Sequence, residues 1–367
     1  MAETCSLTFV DEIHELKREI ARRGWNNRLP LRMASELAMH LVIMMGGLAI
    51  YLFSSSFWVD SIGMLISLAG AIGVLTHTHC SSHYSTFKNR RLDEALVYFG
   101  FTALFGLSAT YWDHKHVKVH HPYPNIYGID NDIDLKPFFA FTQEEVRLSS
   151  NKVQGFLFRH QGWLFPIALA FNGFNLQAAG WKYLIAVLRD NGKRTAAHWI
   201  DLATLVFHYS CWIVGPCLFF QPSAVVQLYI LRVVLMGYGL YAILAPGHFP
   251  AEAIVLETKN RKADFYARQL VATVNFRTGL FGQLFLAGID HQIEHHLFPG
   301  VTHIHYPEVG KRLKSICEKH GYPFQIFGWW EAIWKSYAIF WSPKAVYEGP
   351  DAYLARLSSP LHAEQPD

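Results

Sequence analysis

The sequence predicts an all-α integral membrane protein with four transmembrane helices in two hairpins and a helical cap gathered on the cytosolic side of the bilayer. Three observations predict it. Of 367 residues, 51% are hydrophobic and only 17% are charged, a balance that favours a membrane class over a soluble one. Four apolar stretches each approach the roughly 20 residues that a helix needs to cross a bilayer. Lysines and arginines gather at one end of these stretches and avoid the other.

The chain opens on Asp11–Arg23 (DEIHELKREIARR), with acids early and bases late as a helix dipole favours. It lacks the form of a secretory signal, so residues 1–34 are expected as an amphipathic cytosolic segment. The spans follow at Leu37–Phe57, Ser61–Leu75, Leu202–Phe220 and Val225–Ala245. Within each pair the connection, around Trp58–Asp60 and Gln221–Ser223, is short and free of Lys and Arg, which predicts tight hairpins. Arg18, Arg22, Arg23, Arg28 and Arg32 precede the first span, Lys88, Arg90 and Arg91 follow the second, and Lys193 and Arg194 precede the third. The positive-inside rule assigns all of them to the cytosol. Residues 77–200 and 246–327 then share one aqueous compartment, giving a membrane domain over 35–327 and a C-terminal tail over 328–367.

Two further stretches, Ala95–Tyr111 and Trp163–Gly180, are shorter or interrupted by Gly, Asn and Gln, and are expected as interfacial or buried helices. A single crossing by Ala95–Tyr111 would strand the histidines on its two sides in opposite compartments. Inside the spans, Arg232 is expected to snorkel toward the outer headgroups, and His40 and His208 to serve as hydrogen-bonded packing residues. Scattered basic residues argue against nucleic acid as a partner. Five cysteines with no C-x-x-C pair argue against a disulfide framework or a thiolate metal site.

The chemistry lies in where the histidines fall. His79 and His83, four apart beyond the second span, share one face of a helix, and His77 adds an imidazole to that run. In His114-Lys-His116-Val-Lys-Val-His120-His121-Pro122, an α-helix puts His116 and His120 on one face and turns His121 by about 100°. His291-Gln292-Ile-Glu294-His295-His296 repeats the spacing, stacking His291 over His295 and Gln292 over His296. Spacing leaves open which of His291 and Gln292 binds metal. His248, in a Pro-Gly-His-Phe-Pro turn past the fourth span, would emerge level with His79 as an added ligand.

Imidazoles clustered beside a membrane are costly unless compensated, and coordination compensates them. They outnumber the four ligands of a structural zinc, so two metal ions are implied. Imidazole suits iron, copper, zinc and nickel. Open positions for dioxygen favour two iron ions, with dioxygen as co-substrate, over redox-silent zinc. Asn125, Asp130, Asp132 and Asp134 are available to accept the remaining imidazole N–H groups.

The ordered triplet His79-x-x-x-His83, His116-x-x-x-His120-His121 and Gln292-x-x-His295-His296 resembles the membrane fatty acid desaturases over roughly Leu75–Phe327. Asp290–Pro299 (DHQIEHHLFP), followed by His303-Ile-His305-Tyr-Pro307, is similar to acyl-lipid and front-end desaturases, in which glutamine replaces the first histidine of the third box. The run His120–Asp130 is similar to bacterial members. Departures are the extra His77 and Ala287-Gly288 where Gly-Gly is common; neither touches a motif ligand.

The resemblance implies a di-iron centre in a cytosolic cap over two hairpins, and insertion of a cis double bond into a fatty acyl chain carried as an acyl lipid or an acyl thioester. It also implies that regioselectivity comes from an apolar channel, for which Ala95–Tyr111, Trp163–Gly180, Trp112 and Gly106 are the candidate lining. The His-Pro-Gly-Gly signature of a fused cytochrome b5 domain does not occur, so a separate electron donor, a ferredoxin or a cytochrome b5-type protein, is expected. A fatty-acyl or lipid hydroxylase with the same chemistry is the alternative. A histidine-rich metal transporter is more distant, because the four span cores contain no Asp or Glu.

Overall fold

The computed structural model describes residues 7–259 and 264–357. Helix α1 (Phe9–Arg22) begins at a capping box between Thr8 and Asp11 and buries Phe9, Ile13, Leu16 and Ile20, an apolar stripe at helical spacing. Helices α2 (Pro30–Phe53) and α3 (Phe57–Ser82) are joined by three residues and run antiparallel. Glycines set their separation: a Cβ on Gly47 would meet the Ser67 amide at 2.3 Å, and one on Gly70 would meet the Met44 amide at 2.3 Å. Helix α3 continues beyond the expected end of the span at Leu75, so that His77 and His79 ride on it and His83 caps it.

The stretch expected as one apolar helix over Ala95–Tyr111 is broken. Helix α4 (Arg90–Val97) passes into π-helical turns over Tyr98–Leu104, and α5 (Ala109–Trp112) passes into a π-helix over Asp113–His120. The two arms bend by 115°. At the break, Gly106 takes φ +67° and packs against Gln177 and His208, a conformation that favours glycine. The buried Asp201 carboxylate accepts from the Ala109 and Thr110 amides at 3.1 and 3.0 Å and from the Ser108 hydroxyl at 2.6 Å. It thereby satisfies the first orphan amides of α5.

After α6 (Gln143–Arg147) come α7 (Lys152–Leu169) and α8 (Asn172–Arg189), separated by a turn inside the expected helix Trp163–Gly180. Helices α9 (Ala196–Tyr209) and α10 (Pro222–Leu244) follow. Four segments are long and apolar enough to cross a membrane: Pro30–Phe53, Phe57–Ser82, Ala196–Leu218 and Pro222–Gly247. The second pair is more open than the first. Helix α9 packs mainly on the Tyr98–Leu104 turns, α10 packs on α3 and α8, and His208 reaches the Tyr229 hydroxyl across the gap at 3.0 Å. Arg232 lies with its guanidinium 3.5 Å from the Trp212 ring centroid, a stacked cation.

The remainder is short: β1 (Val255–Leu256), α11 (Phe265–Ala272), β2 (Asn275–Arg277), α12 (Gly279–Phe285), α13 (Gln292–Leu297), α14 (Tyr306–His320), β3 (Ile326–Gly328), α15 (Trp329–Ala338), β4 (Val346–Tyr347) and α16 (Pro350–Leu357). Strand β1 pairs in parallel with β4, and β2 with β3. The apolar stripe of α1 joins α13 and α14 in one core. Residues 328–357, expected within a tail, are woven into the fold: α15 packs against the end of α10, and β4 completes a strand pair.

Candidate metal centre

Three helical segments and one turn deliver the imidazoles. Helix α3 supplies His79 and, at its C-cap, His83; the π-helix and its cap supply His116, His120 and His121; α13 supplies His295 and His296; and the turn after α10 supplies His248. They fall into two adjoining groups. His79, His83, His116, His121 and His295 form one, with one ring nitrogen of each within 4.8 Å of the others; His120, His248 and His296 form the second. In the first, the His79 and His116 Nε2 atoms are 2.8 Å apart, His116 and His121 3.2 Å, and His121 and His295 3.1 Å.

The π-helix decides this partition. Its backbone bond runs from the His121 amide to the His116 carbonyl at 3.0 Å, five residues apart. That register puts His116 with His121 in the first group, while His120, stacked on His116, enters the second. As the spacing leads one to expect, the His116 and His120 rings stack with centroids 5.2 Å apart, and with Asp132 they could share an ion; what the wider turn adds is the contact of His116 with His121 at 3.2 Å.

The third segment separates His291 from Gln292. His291 is the N-cap of α13, 31% exposed, and faces Glu294 with Nδ1 3.6 Å from its carboxylate. It does not join either imidazole group. Gln292 is buried, sits under Gly247, where a Cβ would meet its Cγ at 2.2 Å, and lines one cavity with His79, His116, His120 and His248.

Behind the imidazoles stand hydrogen-bond acceptors. His120 Nδ1 donates to the buried Asp130 carboxylate at 2.9 Å, with Asp132 3.3 Å from the same nitrogen. His296 Nδ1 donates to Gln269 Oε1 at 2.9 Å, and the Tyr306 hydroxyl lies 3.3 Å from His295 Nδ1. Burial alone would raise the Asp130 carboxyl, but His120 and the Asn125 amide hold it below its usual range. Asn125 touches no imidazole; its side chain donates to the His248 and Ala253 carbonyls at 2.9 and 3.1 Å. Asp134 is half exposed and lies 3.5 Å from Lys136, so it orients no histidine.

Gln269 and Lys344, whose ammonium donates to the His248 carbonyl at 2.9 Å, gave no signal in the sequence, being single residues far from any histidine run; Tyr306 adjoins His305, but nothing in that run pointed to its contact with His295. His77 also stands apart, 3.2 Å from Glu36. His40 and His208 bond the Leu284 and Ala103 carbonyls at 2.7 and 3.0 Å, as packing residues do.

The donor set fits metal. Burial pushes His83 and His248 down to about 3 and holds His121, His295 and His296 well below the usual range, so their rings are neutral and each offers a lone pair. Among the described residues, His83 Nε2 and His296 Nε2 are buried without a hydrogen-bond partner. A buried nitrogen left so is costly unless a cation takes it. With Nδ1 committed to Gln269, the free Nε2 of His296 is in the state a metal-binding imidazole adopts.

Below the two groups lies a cavity of about 890 Å³. Its ceiling is His79, His116, His120, His248 and Gln292; its walls are Leu164, Ala168 and Leu169 of α7, Leu176 and Ala179 of α8, and Leu240, Tyr241 and Leu244 of α10. From the earlier stretch, Tyr111 contributes together with Trp112. Gly106 is not in the lining; it belongs to the break that packs on Gln177 and His208.

Sequence comparison with known proteins points to one family. A model of the fatty acid desaturase family matches residues 55–328. Fatty acid desaturase 3 of Bos taurus is 27% identical over 252 residues, covering 68% of this chain and 53% of that protein. The Delta(8)-fatty-acid desaturase of Euglena gracilis is 25% identical over 329 residues, 86% of this chain and 74% of its own. A Delta(5) fatty acid desaturase of Caenorhabditis elegans is 26% identical over 292 residues, 78% and 64% respectively. The chain spans about half the length of several of the curated relatives it matches. With the family match extending from the start of α3 to β3, across every imidazole of the two groups, this chain belongs to the fatty acid desaturase family.

Proposed function

We propose that the protein desaturates a fatty acyl chain, using dioxygen at two iron ions held by the two imidazole groups. The observation that carries the reading is the juxtaposition of five and three buried imidazoles at the head of one apolar cavity. His79, His83, His116, His121 and His295 would hold one ion, and His120, His248 and His296 the other, with Gln292 beside the second. Iron bound there supplies the redox chemistry: two hydrogens leave adjacent methylenes and dioxygen is reduced to water with electrons from a separate donor, a ferredoxin or a cytochrome b5-type protein.

The protein's own part is position. Methylenes are chemically alike, so the choice among them rests on how deep the chain lies in a cavity of fixed walls. Asp130, Gln269 and Tyr306 fix ring orientations, so that the lone pairs point inward without a search among rotamers. The apolar lining excludes water from the reacting carbons.

We further propose that the four spans form two membrane hairpins, with both imidazole groups on the cytosolic side, as the flanking arginines and lysines require. The Delta(8) and Delta(5) names of two relatives, with the glutamine-led third box, support a front-end position for the new double bond. Expression in a host lacking the product, followed by gas chromatography of total lipids and metal analysis of the purified protein, tests the reading. An added double bond with two irons per chain is expected. An added hydroxyl would make the protein a hydroxylase, and iron-free protein with unaltered acyl chains would overturn both.

A further inference from the structure

The second imidazole group is held unevenly. His120 Nδ1 is braced by Asp130 and His296 Nδ1 by Gln269, but among the described residues no side chain accepts from His248 Nδ1. His248 also stands outside any long helix, at the end of the short turn Ala245–Gly247. What holds it is its own main chain. The Lys344 ammonium and the Asn125 side-chain amide each donate to the His248 carbonyl at 2.9 Å, and each donates to the Ala253 carbonyl as well. The loop 248–253 is thus pinned at both ends by the same two donors.

Both donors are themselves fixed. The Lys344 amide donates to the Phe141 carbonyl at 3.0 Å, its carbonyl accepts from the Gln143 amide at 2.9 Å, and its buried ammonium lies 4.8 Å from the Phe141 ring centroid. An apolar side chain would fill that space without the cost of desolvating an ammonium. What the lysine adds is N–H donors aimed at the loop that carries His248. Asn125 is buried too, and its amide donates at 2.8 Å to Asp130, the brace of His120. We infer that Lys344, which lies past residue 328 where the family match ends, is a positioning residue for the second ion: with Asn125 it clamps the His248 loop and keeps that imidazole beside His120 and His296. The inference rests on the proposed two-ion reading. The His248 ring centroid is 4.5 Å from that of His120 and 4.7 Å from that of His296. This group has three imidazoles against five in the other, so a displaced His248 leaves two, and loosening the clamp costs the second ion while sparing the first.

Metal titration tests this without recourse to turnover. Cobalt(II) added to metal-free wild-type protein, followed by visible absorption, is expected to fill two sites per chain. In Lys344→Met, which keeps the length of the stem and removes the donors, one ion is expected to bind about 10- to 100-fold less tightly while the other binds as before, and the iron content of the purified variant should fall from two toward one. Asn125→Gly removes the partner donor at a position of φ +51°, where glycine is at ease. It is expected to act in the same direction, so a failure of Lys344→Met to fold still leaves a decisive variant. Two ions bound with unchanged affinity, beside no more than a lower melting temperature, would make Lys344 a packing residue and overturn the inference. Equal weakening of both ions would overturn it as well. Wild-type protein that takes up no cobalt and contains no iron would instead defeat the two-ion reading itself, and the clamp with it.

Discussion

His120 is braced by Asp130, and His296 by Gln269, through single Nδ1–H bonds of 2.9 Å. Because such acceptors fix ring orientation and basicity, Asp130→Asn and Gln269→Ala are each expected to lower iron affinity or turnover by about 10- to 100-fold. Iron content and product yield of purified variants check this. His120→Ala is expected to abolish product while insertion into membranes is retained. The neutral rings also give a pH dependence. His83 and His248 lie at about 3, below the ordinary 6.5. As pH falls, the unfolded chain takes up protons first, so stability is full above the unfolded value and declines between about 6.5 and about 3. Chelator-stripped protein in detergent should therefore melt at progressively lower temperature from about pH 7 to about pH 5, and iron should blunt the decline because it competes with protons for the same nitrogens. At this scale the sequence was legible where ligands repeat at fixed spacing. It was silent on Gln269, Tyr306 and Lys344, whose roles depend on tertiary contact alone.

Among the elements, the break between the two π-helical arms carries the most consequence. Gly106 at φ +67° has the Gln177 amide and the His208 ring packed about it, each 2.8 Å from where a Cβ would lie. Gly106→Ala is expected to cost about 1–3 kcal/mol from backbone strain, with displacement of the Gln177 amide and the His208 ring adding to it, read as a lower melting temperature with the product pattern unchanged. Asp201→Ala leaves the Thr110 amide and the Ser108 and Thr110 hydroxyls without their carboxylate acceptor, while the Ala109 amide keeps the Thr102 hydroxyl. It should destabilise by about 1–3 kcal/mol for each donor left unsatisfied. The four span helices could be read from hydropathy because apolar length is a local property. The 115° bend and the π register could not: the break is held by a carboxylate about 90 residues away in sequence, and neither feature leaves a mark in the pattern of apolar residues.

For the whole molecule, the proposal that one face of the bilayer holds every ligand makes a direct prediction. Single-cysteine labelling at Lys115, Arg194 and Glu308 should report one compartment, and a residue at Trp58 or Gln221 the opposite one. Labelling of Lys115 and Glu308 from different sides would overturn the shared centre. The burial of Lys344 has a consequence of its own. Its ammonium is held well below the ordinary lysine range by burial and donates to the carbonyl of His248, while α1 packs on α13 and α14. Residues far apart in sequence thus close on the imidazole-bearing segments, Lys344 on the turn of His248 and α1 on the apolar side of α13. During synthesis, therefore, residue 344 must have left the ribosome before the pocket around His248 can close, and if the group holds iron as proposed, stable loading would follow that step.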